Sequence, residues 1–261
     1  MKPVKLSFAL AAALLAMPLA SFAQEAAPAA AEEEEASFPL SLSLAATTDY
    51  VFRGVSQTDG GPAFQAGLTY SAPFGIYAGV WGSNVDFGTG GFETDYFVGW
   101  NTDLSDSWNL DLGVTRYTYS GDKGLSGDYD EVIGKVTWSG PVTLTGLVAY
   151  APDYGDLAPK AKESYASLGA SYDIGETGFS LGASVGYTSI DFGEETIEGE
   201  TFNYGVSDYF DGSVSVSKGF GPATATLGYY DTFGSDADEL KDLPGDYYED
   251  RVALTVTIAI P

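Results

Sequence analysis

From Pro39 to the end of the chain, hydrophobic and polar positions change places every second residue. Leu40, Leu42, Leu44 and Ala46 alternate with Ser41, Ser43, Ala45 and Thr47, and Phe64, Ala66, Leu68 and Tyr70 alternate with Ala63, Gln65, Gly67 and Thr69. The same period runs through 92–100, 110–114, 132–138, 142–150, 166–172, 179–187, 210–216, 223–229 and 252–260. Neighbouring side chains of a strand point to opposite faces, so this pattern predicts strands with one apolar face and one polar or small face. Gly75–Val85 reads as a strand too, although Ile76, Ala78 and Val80 compete with Tyr77 and Trp81 for the apolar side. Twelve strands are predicted, and no window of comparable length has a helical period.

The connections between these strands decide the architecture. Short turns are predicted at Ser71–Phe74, Thr102–Ser107, Ser139–Pro141, Asp173–Gly178 and Lys218–Gly221. Long loops are predicted at Asp49–Pro62, Ser83–Gly91, Ser120–Asp128, Ala151–Glu163, Asp191–Asp208 and Asp231–Tyr248. Long and short alternate along the chain, which places all the short turns at one end. A soluble sandwich has no reason to do this, whereas an outer-membrane barrel has short periplasmic turns and longer outward loops. The reading is an all-β transmembrane antiparallel β-barrel of about twelve strands. Phe74, Trp100, Trp108, Trp138, Tyr172, Phe179 and Phe220 fall beside the short turns, and other tyrosines mark strand ends. Rings at both edges of an apolar band suit two membrane interfaces.

What precedes the alternation reads differently. Lys2 and Lys5 open a segment whose apolar core runs from Phe8 to Leu19, followed by Ser21-Phe22-Ala23. This predicts a secretory signal peptide over 1–23, too short to span a bilayer as a helix, with cleavage before Gln24. Residues 24–37, with an Ala/Pro stretch and Glu32-Glu33-Glu34-Glu35, read as an acidic disordered tether. The barrel is assigned to 38–261.

Composition then narrows the chemistry. The chain contains no cysteine and no histidine, which removes thiolate chemistry, Ser-His-Asp hydrolysis and imidazole-bound zinc. The formal charge is −26, and loss of residues 1–23, which hold two lysines and no acid, takes it from −26 to −28. A polyanion of this size excludes nucleic-acid binding through phosphates and favours cations near its surface. No cofactor or metal site is expected. The late loops are rich in acid, with no calcium-loop spacing, and Gly88, Gly90 and Gly91 precede no helix or lysine as a phosphate loop would require.

A strand facing lipid on one side must meet water or a plug on the other. The inward polar set is Glu93, Asp95, Asn109, Asp111, Glu131, Lys135 and Arg251, joined by Asp49 and Arg53 if the first strand runs on past Thr47. Opposed across a narrow lumen, such charges would screen solutes, or they would pair with one another and stabilise the interior. Arg53 is one of only eleven basic residues against thirty-seven acids. Its planar fork could pin the first long loop to the wall or sit at a constriction. Gly67, Gly99, Gly113, Gly169, Gly182, Gly186 and Gly228 also face inward and leave room for neighbouring rings.

One family resemblance rests on Thr48-Asp49-Tyr50-Val51-Phe52-Arg53-Gly54-Val55-Ser56-Gln57, Gly61-Pro62-Ala63 and Gly75-Ile76-Tyr77-Ala78-Gly79-Val80-Trp81-Gly82-Ser83-Asn84-Val85-Asp86-Phe87. Glu93-Thr94-Asp95-Tyr96 and Asp128-Tyr129-Asp130-Glu131 extend it. These motifs resemble the TorF family, a bacterial group taken to be outer-membrane porins. The resemblance is dense over the first half of the mature chain and is a strand rhythm thereafter. It implies an outer-membrane barrel with a porin role and brings no catalytic residues. Barrels of this kind commonly end in an aromatic residue read by the barrel-insertion machinery, whereas this chain ends Ile258-Ala259-Ile260-Pro261.

The expected function is an outer-membrane channel of a Gram-negative cell, passing small hydrophilic solutes or ions with a preference for cations. Outer-membrane lipids and the insertion machinery are its expected partners. The competing reading is a non-conducting barrel whose acidic loops bind ions, lipid heads or a cell-surface partner. An enzyme is not expected: Glu93 and Asp95 could supply a carboxylate pair, but nothing orients a nucleophile.

Overall fold

In the computed structural model the described residues are 39–260, except 89, 122–126, 156–160, 193, 198–199, 204–205, 235 and 243–244. The predicted signal peptide and tether lie outside them. Twelve antiparallel strands close into a barrel: β1 (Leu40–Thr47), β4 (Ala63–Ser71), β5 (Ile76–Val85), β6 (Gly91–Ser105), β7 (Trp108–Ser120), β8 (Tyr129–Ser139), β9 (Thr143–Ala151), β10 (Lys162–Asp173), β11 (Phe179–Asp191), β14 (Val206–Phe220), β15 (Ala223–Phe233) and β16 (Arg251–Ile260). Each pairs with its neighbour in sequence, and β1 closes the ring on β16 from Leu42 opposite Ile260 to Thr47 opposite Thr255. Closure satisfies every edge, which is the condition for a sheet to cross hydrocarbon.

Among the described residues, the long loops hold a short hairpin, β2 (Val51–Phe52) with β3 (Val55–Ser56), a second hairpin, β12 (Glu194–Ile197) with β13 (Glu200–Asn203), and one α-helix, α1 (Ala237–Lys241), while a 3-10 turn, Pro73–Gly75, occupies a short turn. The helix lies within the long loop predicted at Asp231–Tyr248. Five residues are too few to imprint a 3.6-residue period on the sequence.

The alternation sorts as its physics demands. Leu44, Leu68, Val98, Val114, Val148, Leu168, Val214 and Leu254 are exposed on the outer wall, while Ser43, Thr69, Thr145, Ser167, Ser215 and Thr226 are buried inside. The barrel is therefore inverted relative to a soluble protein, with an apolar exterior that requires lipid. In β5 the ambiguity resolves: Tyr77, Trp81 and Val85 turn inward and Ile76 outward. Trp81 is only 2% exposed, a large ring inside the barrel. At the short-turn end, Trp108 stands opposite Trp138, and the Trp100 indole donates to the Phe74 carbonyl at 3.1 Å.

Inward glycines make space for these rings. A Cβ on Gly99 would lie 2.2 Å from the Tyr77 hydroxyl, and one on Gly186 would lie 2.3 Å from the Tyr165 hydroxyl. A narrow twelve-stranded lumen fills with aromatic side chains only where the facing strand has no side chain of its own.

Candidate functional site: a hairpin across the lumen

β1 ends at Thr47, and the chain then leaves the wall and folds into the barrel. The first strand does not run on past Thr47, the condition under which Asp49 and Arg53 would join its inward face, and neither belongs to the wall. Arg53 and Gly54 form the tip between β2 and β3, with φ of 50° and 80°. Two successive positive φ values are the requirement of the tight hairpin turn whose twist matches its strands. Glycine adopts this at little cost, whereas arginine in the left-handed region stores about 1–3 kcal/mol of strain. Something must hold it there.

Two buried carboxylates do so. Arg53 Nη2 donates to Glu131 Oε2 of β8 at 2.9 Å, and Nη1 donates to Glu163 Oε2 of β10 at 3.0 Å. Glu131 Oε1 also stands 2.9 Å from Nη2. The three side chains are between 0% and 3% exposed, so this cluster is out of reach of bulk water. The guanidinium lies 4.2 Å over the Tyr165 ring and 4.7 Å over that of Phe52. Planar charge stacked between rings and forked onto acids is a geometry lysine cannot reproduce.

The tip also abuts the far wall. A Cβ on Gly54 would lie 2.7 Å from Asp211 Cβ of β14 and 2.8 Å from Thr232 Cγ2 of β15. On one flank Val51 packs with Tyr230 and Ala253, and Tyr50 packs with Ala63, Trp81 and Val85. The hairpin therefore crosses the lumen from its root beside β1 and β4 to β8, β10, β14 and β15.

Asp49 organises the root. Its carboxylate accepts from Ser56 Oγ at 2.6 Å, Thr58 Oγ1 at 3.1 Å and Arg251 Nη1 at 2.7 Å. Arg251 continues to the carbonyl of Tyr247, so the root is tied to the last loop as well.

The other predicted residues divide. Asp111 accepts from the Tyr77 hydroxyl at 2.7 Å and has Lys135 at 4.0 Å, a separate buried group. Glu93 accepts from the Tyr119 hydroxyl at 2.8 Å and Glu131 from that of Tyr117 at 3.2 Å. Both Asp95 oxygens and Glu93 Oε2 are buried without a hydrogen-bond partner. Asn109 bonds Asn101 and Asp103, on the side of the lumen near the short turn, and takes no part in the Arg53 cluster. Each inward cation lies beside an acid, so charges of opposite sign are paired rather than held apart across the lumen.

Sequence reasoning missed Glu163 and Asp211. Glu163 is the last residue of the loop predicted at Ala151–Glu163, yet it shares parity with Tyr165 and Ser167, which face inward. Asp211 likewise shares the inward parity of Ser215 and Ser217. The signal was present in the period.

A family model described as a bacterial protein of unknown function (Gcw_chp) matches residues 31–256. None of the curated proteins compared with the chain matches it. Among solved structures, LpxR from Salmonella typhimurium is similar at 11% identity and a TM-score of 0.43, covering 84% of this chain and 99% of that one. A loop L8 deletion mutant of OmpT, an outer membrane protein of Vibrio cholerae, is similar at 10% identity and a TM-score of 0.42, covering 85% and 98%. OccK8 (OprE) of Pseudomonas aeruginosa is similar at 15% identity and a TM-score of 0.43, covering 84% of this chain and 62% of that one. These are distant likenesses of fold.

Proposed function

The chain belongs to the Gcw_chp family of bacterial proteins, and from that premise we propose that it is an outer-membrane channel for small hydrophilic solutes, selective for cations and closed by its own hairpin. The observation that carries this is the charge of the lumen. Among the described residues, Asp49, Glu93, Asp95, Asp111, Glu131, Glu163 and Asp211 are buried inside the barrel, against Arg53, Lys135 and the half-buried Arg251. Burying an unpaired carboxylate costs several kcal/mol, roughly, and an interior needed only for support would be filled more cheaply by apolar packing. Ionisable groups at membrane depth point to a path for ions or solutes. The resemblance of the loop motifs to TorF-type porins supports the same reading, and it includes no enzymatic role.

Arg53 is then a tethered cation resting where a permeating cation would pass. Displacing the hairpin would open the lumen and free Glu131 and Glu163 together. Conductance across planar bilayers tests this. The intact protein should be closed or weakly conducting, and a variant with residues 51–56 replaced by a short flexible link should conduct with cation preference. A second reading, a non-conducting barrel whose loops do the binding, is favoured by the near-complete burial of the Arg53 cluster. Silence of the shortened variant, once it is shown to be inserted and folded, would select that reading.

A further inference from the structure

Where the long loops meet the hairpin, the mouth of the barrel opens into a cup of about 300 Å³. Its rings are Phe87, Tyr119, Tyr129, Tyr154, Tyr247 and Tyr248. On one side Phe87 stands edge-on to Tyr119 at 6.0 Å and beside Tyr247 at 6.2 Å. On the other, Tyr129 meets Tyr154 edge-on at 4.8 Å. Val55 and Gln57 of the hairpin segment complete the lining, so the cup leads onto the plug.

What stands behind these rings sets their preference. Tyr119 donates its hydroxyl to Glu93, and Tyr129 stacks at 4.5 Å on Tyr117, whose hydroxyl donates to Glu131. The phenol proton of Tyr119 is thus turned onto a buried acid, and Tyr129 is backed by a ring whose own proton goes to another. Glu93 Oε2 and both oxygens of Asp95, each residue only 2% exposed, have no partner. Arg53, the cation of the hairpin itself, is already engaged by Glu131 and Glu163. The Glu163 carboxylate, and then burial, push the Tyr154 phenol up, and burial followed by Glu163 does the same for Tyr248. These phenols stay neutral at physiological pH.

We propose that this cup binds an organic cation, a substituted ammonium or guanidinium, as the entry station of the lumen. The faces of tyrosine and phenylalanine attract such a cation, and Glu131 and Glu163, two acids sharing the single Arg53, add to the attraction. An anion is repelled by the same acids. A neutral ring gains the stacking without the charge term. The proposal rests on the channel reading for the substrate class it names, but binding in the cup needs no open lumen.

The test is isothermal titration of the full barrel in detergent micelles with choline and with its uncharged isostere 3,3-dimethylbutan-1-ol. Saturable choline binding is expected, about tenfold or more tighter than the neutral isostere. Tyr154→Leu and Glu93→Gln should each weaken it severalfold. Heat-modifiable gel mobility establishes that each variant is folded, and Tyr154, lying outside the strands, supplies the readout if Glu93→Gln does not fold. Equal affinity for the two isosteres, tighter binding of glucose, or no saturable binding of choline would overturn the proposal. A barrel that binds choline yet never conducts would defeat the channel reading alone. A conducting barrel that ignores choline would defeat the cup alone.

Discussion

Arg53 and Glu131 are 78 positions apart in the chain and meet inside the barrel at 2.9 Å, both shielded from solvent. With Glu163, 110 positions from Arg53, they turn a surface loop into an internal strut. The left-handed conformation of Arg53 is maintained by this pairing, since the local sequence would relax it.

Removing the guanidinium leaves two buried carboxylates facing each other without a cation. Arg53→Ala should lower the stability of the folded barrel by about 3–5 kcal/mol, the usual cost of breaking a buried pair from one side. Heat-modifiable gel mobility as a function of temperature reads this directly. Adding Glu131→Gln and Glu163→Gln to Arg53→Ala should recover part of the loss. Arg53→Lys should not, because one ammonium cannot fork onto two separate acids.

Gly99 and Gly186 each face a tyrosine that occupies the missing side chain's place. Gly99→Val and Gly186→Val should each cost about 1–3 kcal/mol through overpacking. Tyr77→Ala should rescue the first and Tyr165→Ala should leave it unchanged. Urea unfolding in lipid vesicles measures the cross-pattern.

Leu168 lies on the outer wall, 68% exposed in the bare barrel. Leu168→Arg should cost about 2–4 kcal/mol in a bilayer, where the charge meets hydrocarbon. In a soluble protein the same change at an exposed site would be nearly neutral. The contrast measures which side of the wall faces lipid.

The strands were legible because a two-residue period is dictated residue by residue and needs no knowledge of partners. All twelve wall strands follow from it, as do the inward positions of Glu93, Asp95, Asp111, Glu131 and Lys135. The hairpin was not legible in the same way. Phe52-Arg53-Gly54-Val55 announces a turn, but where its tip goes depends on Glu131, Glu163 and Asp211, and no local pattern connects them. Arg53 stood out because cations are scarce, and that scarcity was the one clue to its role. Glu163 escaped because it sits at the start of its strand directly after a long loop, where period and loop composition give opposite answers.

Acidifying the bath should reverse the selectivity of the hairpin-shortened barrel. Once the lumen carboxylates are protonated, Lys135 and Arg251 remain as its fixed charges, and anions become the favoured ions. Reversal potentials recorded at neutral and at strongly acidic pH check the change of sign. Asn109→Ala, lying outside the Arg53 cluster, should leave the selectivity at both values as it was.

The most direct test is single-channel recording of Arg53→Ala beside the wild-type protein under a potassium chloride gradient. The account predicts that freeing the hairpin raises conductance severalfold or more and that the reversal potential reports preference for potassium. A variant that is folded and inserted but no more conductive than wild type, or one that prefers chloride at neutral pH, would contradict it.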